Sequence, residues 1–531
     1  MKLIKYIALA CFSLTLPACG DFLEEYSQDS YYVSSYQDLE ELLKGDCYFT
    51  LQGTNAGGYG AFLHLLGDEM EEQNSYYGNA WMSSSRRSAN LRENLFGYYT
   101  WQQRIGQKPD YTGFNTENAT WTETYRLINV ANNIIASVAD VPQRSDEEIK
   151  GATRVKGEAH FLRAAYYFWL ANLYGKPYAP STASTDQAVP LKLEEKVNDI
   201  KYQRNTNLEV YTQILADLKI AEECLSKTDA PKTKHQADIH AVHLLMSRVY
   251  LYMQDWAQAA TYADKVIETA SLVDLNKRQP YDGFLSLDSR EVLFSMGDNH
   301  VPALFNSNYQ SFRISNDLYD SYEENDLRKI QWMWKQGTFV GPTKIIPGTL
   351  HGTEDPSSLD FYYFSYTIGY SNQYAEVSDR FLFRLAEAYL NKAEAEAYQG
   401  KDSEAQAALN ELRSNRYVSG SEYAVTVTGE ELVKVIRDER RRELALEGHR
   451  WFDLRRYGVC EQYPESKEIV HRYTYYESSD SEVMTETHVF TLLSNDPAYT
   501  LPIPQEVLDF NTGMKNNERT WREFTVTTPI D

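Results

Sequence analysis

The chain has 531 residues, of which 42% are hydrophobic, so it has ample material for a large buried core. Its 52 basic and 76 acidic residues give a formal charge of −24, which argues against nucleic acid, anionic membrane surfaces and strongly acidic ligands as partners. Aromatic residues make up 13% of the chain, and such rings suit protein cores, interfaces and sugar-stacking platforms alike.

Residues 1–18 have the features of a bacterial signal peptide. Lys2 and Lys5 precede an apolar run from Ile7 to Leu16, which is too short for a membrane-spanning helix. No later stretch offers the roughly 20 consecutive apolar residues that a span needs. We therefore predict that residues 1–18 are removed and that any attachment to a membrane depends on a covalent anchor.

Cys19 is the predicted site of that anchor. It follows Leu16-Pro17-Ala18, and the four residues together resemble a lipobox, in which the cysteine is acylated and becomes the first mature residue. The acidic residues close behind it, in Gly20-Asp21-Phe22-Leu23-Glu24-Glu25, resemble the surface-export signal of Bacteroidetes lipoproteins. We expect an outer-membrane lipoprotein that faces the cell exterior. The alternative is a secretory signal with a cysteine nearby by chance.

The remaining cysteines predict neither a disulfide framework nor a metal site. Cys11 leaves with the signal peptide, which leaves Cys47, Cys224 and Cys460 as an unpaired three without a CxxC motif. His235, His240 and His243 come closest to metal-ligand spacing, but a surface position at the start of a helix explains them better. No metal and no cofactor is expected.

Helical periodicity dominates the middle of the chain. A short helix is predicted from Ser35 to Lys44, and Gly53 to Gly113 is predicted to be loop-like. Apolar residues three and four apart then predict a helical core at roughly residues 120–175, 205–270, 380–415 and 430–450. We expect Trp121, Trp169, Trp256 and Trp451 to belong to this core.

Two helical hairpins resemble tetratricopeptide repeats. In residues 246–267, large and small residues alternate, with Ala259 and Ala263 at positions where facing helices approach closely. A second copy follows with Ala393 at the small position and Gly400 at the turn. Because an isolated hairpin cannot bury its apolar face, the two units must stack.

The stretches between the helices predict short strands and long loops. Residues 270–380 contain alternating and aromatic runs, and residues 459–500 are polar enough to form an extended surface hairpin. The predicted fold class is therefore mainly α, with helical hairpins as the scaffold and loop and strand insertions. We predict one domain over residues 19–531, with an N-terminal part at about 19–340 and a C-terminal part at about 341–531.

Several longer motifs resemble the SusD/RagB family, the surface lipoproteins that sit on TonB-dependent transporters of Bacteroidetes. Besides the lipidated start, they are residues 121–135, Gly157-Glu-Ala-His-Phe-Leu-Arg-Ala164, residues 384–395, residues 436–444, Glu447-Gly-His-Arg-Trp-Phe-Asp-Leu-Arg-Arg456 and Leu501-Pro-Ile-Pro504. The resemblance implies a SusD-like fold, a glycan ligand and a SusC-like TonB-dependent transporter as partner. It also implies that these motifs form the scaffold and that ligand binds elsewhere.

The charged motifs are not predicted to form an active site. Asp438 and Arg442, like Arg437 and Arg441, are spaced i, i+4 on a helix, which indicates a paired or solvated face. The acidic run of residues 68–72 could supply a glycosidase pair in principle, but a solvated acidic loop explains it better. No HExxH, GxSxG, GxGxxG or P-loop pattern is present, so we predict no catalytic residues.

Aromatic residues in the loops are the candidate ligand contacts, because sugar recognition combines flat rings with polar side chains in a concave site. The best match to the family's ligand platform is Trp101, followed by Trp81 with Tyr76 and Tyr77. The central insertion adds Trp332 and Trp334, with Tyr362 and Tyr363 nearby. Burial in the core or in a transporter interface is the competing explanation for each ring.

The sequence thus predicts a lipid-anchored protein that captures an oligosaccharide or polysaccharide and delivers it to the transporter without catalysis. A binder of peptides or another nutrient with the same architecture is the alternative. A lipid-anchored glycosidase and a tetratricopeptide scaffold for protein assembly are the remaining possibilities, but the aromatic loops and the motifs favour a nutrient binder.

Overall fold

The structure is a computed structural model, and it describes residues 33–48, 62–73, 89–196, 200–280, 283–297, 299, 301–305, 312–336, 338–344, 348–351, 363–366, 377–477 and 483–527. Helices predominate, which confirms the mainly-α expectation. Within the described ranges, no helix combines the length and the apolar character that a membrane crossing requires.

The helices are, in chain order, α1 (Tyr36–Leu42), extended by a π-helical segment (Leu43–Cys47), α2 (Leu63–Leu66), α3 (Ala89–Tyr99), α4 (Ala119–Ser137), α5 (Asp146–Tyr174), α6 (Asn207–Leu225), α7 (Ile239–Tyr252), α8 (Trp256–Ile267), α9 (Val301–Leu304), α10 (Asn316–Asp320), α11 (Leu327–Gln331), α12 (Leu385–Tyr398), α13 (Asp402–Ser414), α14 (Gly429–Glu443), α15 (Arg450–Gly458) and α16 (Gln505–Phe510). The four predicted helical regions are all helical, which confirms that part of the sequence interpretation. Short 3₁₀ turns lie at Leu275–Lys277 and Pro497–Tyr499.

The strands are β1 (Met70–Glu72), β2 (Val292–Ser295), β3 (Phe312–Ile314), β4 (Met333–Gln336), β5 (Phe339–Pro342), β6 (Gly348–His351), β7 (Tyr363–Tyr366), β8 (Leu382–Arg384), β9 (Ile469–Tyr476), β10 (Met484–Leu492) and β11 (Phe524–Thr527). They form antiparallel pairs β1–β3, β2–β8, β4–β5 and β6–β7, and one three-stranded sheet in the order β11-β10-β9. The pairs β1–β3 and β2–β8 join segments that are far apart in sequence.

Helices α5, α6 and α7 begin at residues whose side chains satisfy the free N–H groups of the first turn. Ser145 and Glu148 form a capping box at the start of α5, and Thr206 and Glu209 form one at the start of α6. Asp238 accepts from two N–H groups of α7. Local side chains therefore determine where these three helices begin.

The two tetratricopeptide-like hairpins stack, as predicted. Helix α8 packs against both α7 and α12, so the second hairpin continues from the first although more than a hundred residues separate them in sequence. Ala259 and Ala263 are fully buried, and the Ser247 hydroxyl donates to the Ala259 carbonyl at 2.9 Å. Small residues therefore allow the close approach of helices that the alternation of large and small side chains indicated.

The interpretation of residues 53–113 as loop was wrong for residues 63–72 and 89–99, whereas residues 100–113 contain neither helix nor strand. The first two ranges contain α2, β1 and α3. Gly97, which suggested a loop, lies within α3. The residue is a glycine because a Cβ there would come within 2.3 Å of the Ile105 carbonyl oxygen. A glycine required by close backbone packing thus resembles a loop glycine in the sequence.

The C-terminal half of the charged helix α14 is buried and its arginines are paired, which corrects the solvated alternative of the sequence interpretation for that half. Arg437 binds Glu465 at 2.7 Å, and Arg442 binds the neighbouring Glu439 at 2.8 Å. Arg441 reaches Asp68, more than 370 residues away in sequence, at 3.1 Å. The i, i+4 interpretation failed because other elements cover this helix and supply most of its partners.

Residues 459–500 form the predicted hairpin, as β9 and β10, but one face of it is part of the core. His471, Tyr473 and Phe490 are buried, and Phe96 packs edge-on against Tyr473 at 4.8 Å. Trp121, Trp169 and Trp451 are also buried, and Trp451 stacks on Tyr499, while Trp256 is half-buried against Tyr398. The buried positions of these three tryptophans confirm the core expectation.

Candidate functional site

The acidic run at residues 68–72 is buried and paired, whereas the sequence suggested a solvated loop. Asp68 receives two hydrogen bonds from Arg450, at 2.7 and 2.8 Å, and the two cations Arg450 and Arg441 hold its pKa well below the usual range despite burial. Glu72 accepts from the backbone N–H and the hydroxyl of Thr474. These carboxylates therefore fix the position of β1.

Glu69 has a different environment from its neighbours. It is buried, and its Oε1 accepts from the Leu446 N–H at 3.1 Å. Burial raises the pKa of this carboxyl to about 7, an effect that nearby His64 partly opposes. Helix α2 and strand β1 are thus tied through Asp68, Glu69 and Glu72 to the C-terminal part of the chain.

Strand β1 places the start of the aromatic loop beside the central insertion. β1 pairs with β3, so that Met70 lies opposite Ile314 and Glu72 opposite Phe312. The next residue, Gln73, donates through its side-chain amide to the hydroxyl of Thr338, between β4 and β5, at 3.2 Å. Gln73 and Thr338 therefore lie at the same edge of the described structure.

A small cavity lies between the central insertion and the turn after α14, with walls from α9, β3, β4, β5 and that turn. Its volume is about 20 Å³, which is room for about one water molecule. The lining is mostly apolar, with Val301, Ile314, Tyr322, Trp332, Met333, Pro342, Lys344, Ala445 and Leu446.

Trp332 and Lys344 supply the polar groups of the cavity. The Trp332 ring is 2% exposed, and its Nε1–H has no hydrogen-bond partner within the described residues. The Lys344 ammonium lies 4.4 Å from the ring centroid and pairs with Glu447. Burial lowers the Lys344 pKa to about 8, although Glu447 opposes this change. Of these two groups, only the Trp332 Nε1–H lacks a partner within the described residues, because Lys344 also donates to the carbonyls of Glu443 and Ala445.

Trp101 lies in the core, away from this cavity. It has no exposed surface, stacks on His471 with ring centroids 4.3 Å apart, and donates from Nε1 to the Leu66 carbonyl at 2.9 Å. A ring enclosed in this way has no face open to a sugar that arrives from solvent. This placement does not agree with the prediction that Trp101 contacts ligand. The ring is buried because the chain after α3 packs against β9, which carries His471.

The other predicted rings divide into two groups. Trp334 is 5% exposed and packs edge-on against Phe339 at 5.8 Å, so its placement does not favour ligand contact either. Tyr76, Tyr77, Trp81 and Tyr362 lie outside the described residues, as do residues 1–32 with Cys19. Tyr363 begins β7, and nothing is described of its side chain. The described structure therefore locates the start of the 74–88 loop and leaves its rings as predictions.

Metal-ligand geometry is not found among the described side chains, where no group of three or more His, Cys, Asp or Glu is arranged to hold an ion. His235 bonds to the Ser295 carbonyl and His243 to Glu222. Cys47, Cys224 and Cys460 are buried free thiols. Sequence reasoning missed Gln73, Thr338 and Lys344, because no local pattern indicates that these residues come together.

Two family models match the chain in succession. The model described as "Starch-binding associating with outer membrane" matches residues 22–251, and the model described as "SusD family" matches residues 294–521. A relative named SusD-like protein P2, from Formosa agariphila, is 26% identical over 380 residues, which span 64% of this chain and 71% of the relative. The starch-binding protein SusD of Bacteroides thetaiotaomicron is 27% identical over 379 residues, covering 58% of this chain and 64% of that protein.

Solved structures show the same fold. A SusD-like carbohydrate binding protein from Bacteroides vulgatus has a TM-score of 0.63 and 21% identity over 91% of this chain and 98% of its own. Surface glycan-binding protein A from Bacteroides fluxus has a TM-score of 0.60 and 17% identity, covering 91% and 99%. The two family models together account for most of the sequence from residue 22 to residue 521, and the chain belongs to the SusD/RagB family.

Proposed function

We propose that this protein is an outer-membrane lipoprotein that binds an oligosaccharide or polysaccharide at the cell surface and delivers it to a SusC-like TonB-dependent transporter. The observation that carries the proposal is membership of a family whose matching model is described as starch-binding and associating with the outer membrane. Relatives with the names starch-binding protein and surface glycan-binding protein support the same ligand class.

The arrangement of the candidate site is consistent with a binding protein for sugars. The predicted loop with Tyr76, Tyr77 and Trp81 follows Gln73 in the sequence, and Gln73 is bonded to Thr338 between β4 and β5. Aromatic rings at such an edge can stack on sugar rings, while amide, hydroxyl and ammonium groups satisfy sugar hydroxyls. We therefore place the ligand contacts on the 74–88 loop and on the insertion around β4 to β7.

We propose further that the bound glycan is left chemically unchanged. Hydrolysis of a glycosidic bond needs two carboxyl groups that face the same bond. In the acidic run, Asp68 is held by Arg450, and Glu72 is held by Thr474. These contacts support a positioning role for the run, since carboxylates held in this way are not free to flank a sugar.

The lipid anchor at Cys19 and the exterior orientation belong to the same proposal. The signal-like residues 1–18 and the acidic residues behind Cys19 support it. A protein with this anchor can bind glycan from the medium and remain close to a barrel in the same membrane. Transfer to the transporter then requires reversible binding of modest affinity, because sugar hydroxyls exchange hydrogen bonds with water for bonds with protein at little net gain.

Calorimetric titration of the mature protein with a panel of polysaccharide fragments and peptides tests the proposal. We expect one class of glycan to bind, and the Trp81→Ala and Tyr77→Ala variants to lose most of the affinity. Trp521→Ala is the matched control, since Trp521 is 52% exposed on the C-terminal segment far from the 74–88 loop in sequence. Binding of peptides alone would contradict the ligand class, and new sugar products in the ligand pool would contradict the non-catalytic role.

A further inference from the structure

Arg519 is a buried cation without a counterion. Its side chain is 7% exposed, and its Nε, Nη1 and Nη2 atoms all lack a hydrogen-bond partner in the part of the chain that the structure describes. The backbone at this position is well held, because the side-chain amide of Gln103 donates to the Arg519 carbonyl at 2.9 Å. A buried guanidinium with three unsatisfied nitrogen atoms lowers the free energy of unfolding, since water no longer solvates its charge.

Three other buried arginines are each paired with a carboxylate, and Arg455, which has no carboxylate partner, instead donates to the carbonyls of Asn172 and Gly175. Arg450 binds Asp68 at 2.7 Å, Arg456 binds Glu394 at 2.6 Å, and Arg440 binds Asp453 at 2.9 Å. In each case a carboxylate balances the charge that burial removes from water. Arg519 therefore differs in the chemistry around it and not in its burial.

No carboxylate of the described residues contacts Arg519 directly. Arg522 occupies both oxygens of nearby Asp496, at 2.6 and 3.0 Å, and Glu506, which lies near Tyr98 as Arg519 does, is exposed. Glu117, which lies near the same Tyr98 phenol as Arg519, is bonded to Arg104 at 2.8 Å. Burial, followed by repulsion from Arg522, lowers the pKa of Arg519 to about 9, so the group remains charged at neutral pH.

We propose that Arg519 is the receiving group of an oxyanion-binding site that takes a carboxylate or a sulfate group. A guanidinium offers a planar fork of N–H donors that matches these groups in two parallel hydrogen bonds. Glu518, Thr520 and Trp521 in the same segment are exposed, so the segment that carries Arg519 runs along the surface. The proposal does not require that the protein binds a glycan, because a free anion can supply the oxyanion as well as an acidic sugar can.

The test compares the unfolding of the parent with that of Arg519→Met in sodium sulfate and in sodium chloride at matched ionic strength. Sulfate stabilises proteins in general, so the measured quantity is the difference between the two responses. We expect a saturable gain in the parent, with the folding equilibrium constant rising about 100-fold at 100 times the dissociation constant, and no saturable gain in Arg519→Met. Equal responses of the two proteins would overturn the proposal.

Two further arms identify the source of the oxyanion and protect the test against misfolding. Glucuronate, compared with glucose, gives the parent the same saturable gain if a sugar carboxylate enters the site, whereas a response to sulfate alone assigns the site to a free anion. If Arg519→Met does not fold, crystals of the parent soaked in selenate decide the question through anomalous scattering. Selenate within hydrogen-bond distance of Arg519 supports the site, and its absence there refutes it.

Discussion

The buried carboxylate of Glu443 is expected to be a main determinant of stability in the scaffold. Its Oε1 accepts from Arg384 at 2.7 Å and from Arg416 at 3.0 Å, and its Oε2 accepts from Arg328 at 2.8 Å. All four side chains are at most 1% exposed. A single carboxylate at the end of α14 therefore joins α11, β8 and the turn after α13.

Glu443→Gln removes the charge and keeps the shape of the side chain. The amide cannot accept from three guanidinium groups, and part of their positive charge is left without a counterion in a region from which water is excluded. Breaking a buried ion pair by neutralising one partner costs about 3 to 5 kcal/mol. Because the free energy of unfolding of a domain is only about 5 to 15 kcal/mol, this loss should be measurable by denaturant titration or calorimetry.

Glu430→Gln provides a control on the same helix. Glu430 pairs with Lys434 at the surface, where water and salt screen the charges, so this variant should unfold almost as the parent does. A loss in Glu443→Gln no larger than that of Glu430→Gln would refute the reasoning that the buried network requires this charge.

The pH dependence of the same pair of proteins checks the sign of the effect. Three arginines hold the pKa of Glu443 far below its ordinary range, although burial alone would raise it. A lowered pKa in the folded state means that the stabilisation is present above the unfolded pKa of about 4.3 and is lost as the pH falls below it. The parent should therefore lose more stability than Glu443→Gln on acidification below about pH 4.

Glu69 should behave in the opposite way, because burial raises its pKa to about 7. Its contribution is present below about pH 4 and is lost as the pH rises through 7, so Glu69→Gln should be more stable than the parent at pH 8, by up to about 3 kcal/mol in thermal unfolding. Equal stability at pH 8 would contradict the burial of this charge. Trp101→Ala should lower the free energy of unfolding by about 3 to 5 kcal/mol, because the variant leaves a cavity beside His471; a fully stable variant with weakened glycan binding would instead restore the ring as a ligand contact. Cys19→Ala should release the protein from the membrane fraction, and continued surface labelling of a membrane-bound variant would contradict the anchor.

The sequence by itself determined the helices and the pairing of helices within each hairpin. Capping residues such as Ser145 and Thr206, and alanines such as Ala259, act on neighbours within a few residues, so their effect can be deduced without knowledge of the rest of the chain. The motifs that resemble the SusD/RagB family predicted the fold class, and the similarity to solved structures confirms it. Predictions about the anchor and the aromatic loop remain at the level of sequence.

Only the tertiary structure decided which polar and aromatic side chains are buried. Asp68 and Arg450 bind each other across 382 positions, and Trp101 reaches the core because β9, near the other end of the chain, covers it. The same holds for Arg519, whose missing counterion depends on Arg522 occupying Asp496. Sequence spacing carries no information on such contacts, because burial and charge pairing depend on which distant segments share a neighbourhood after folding.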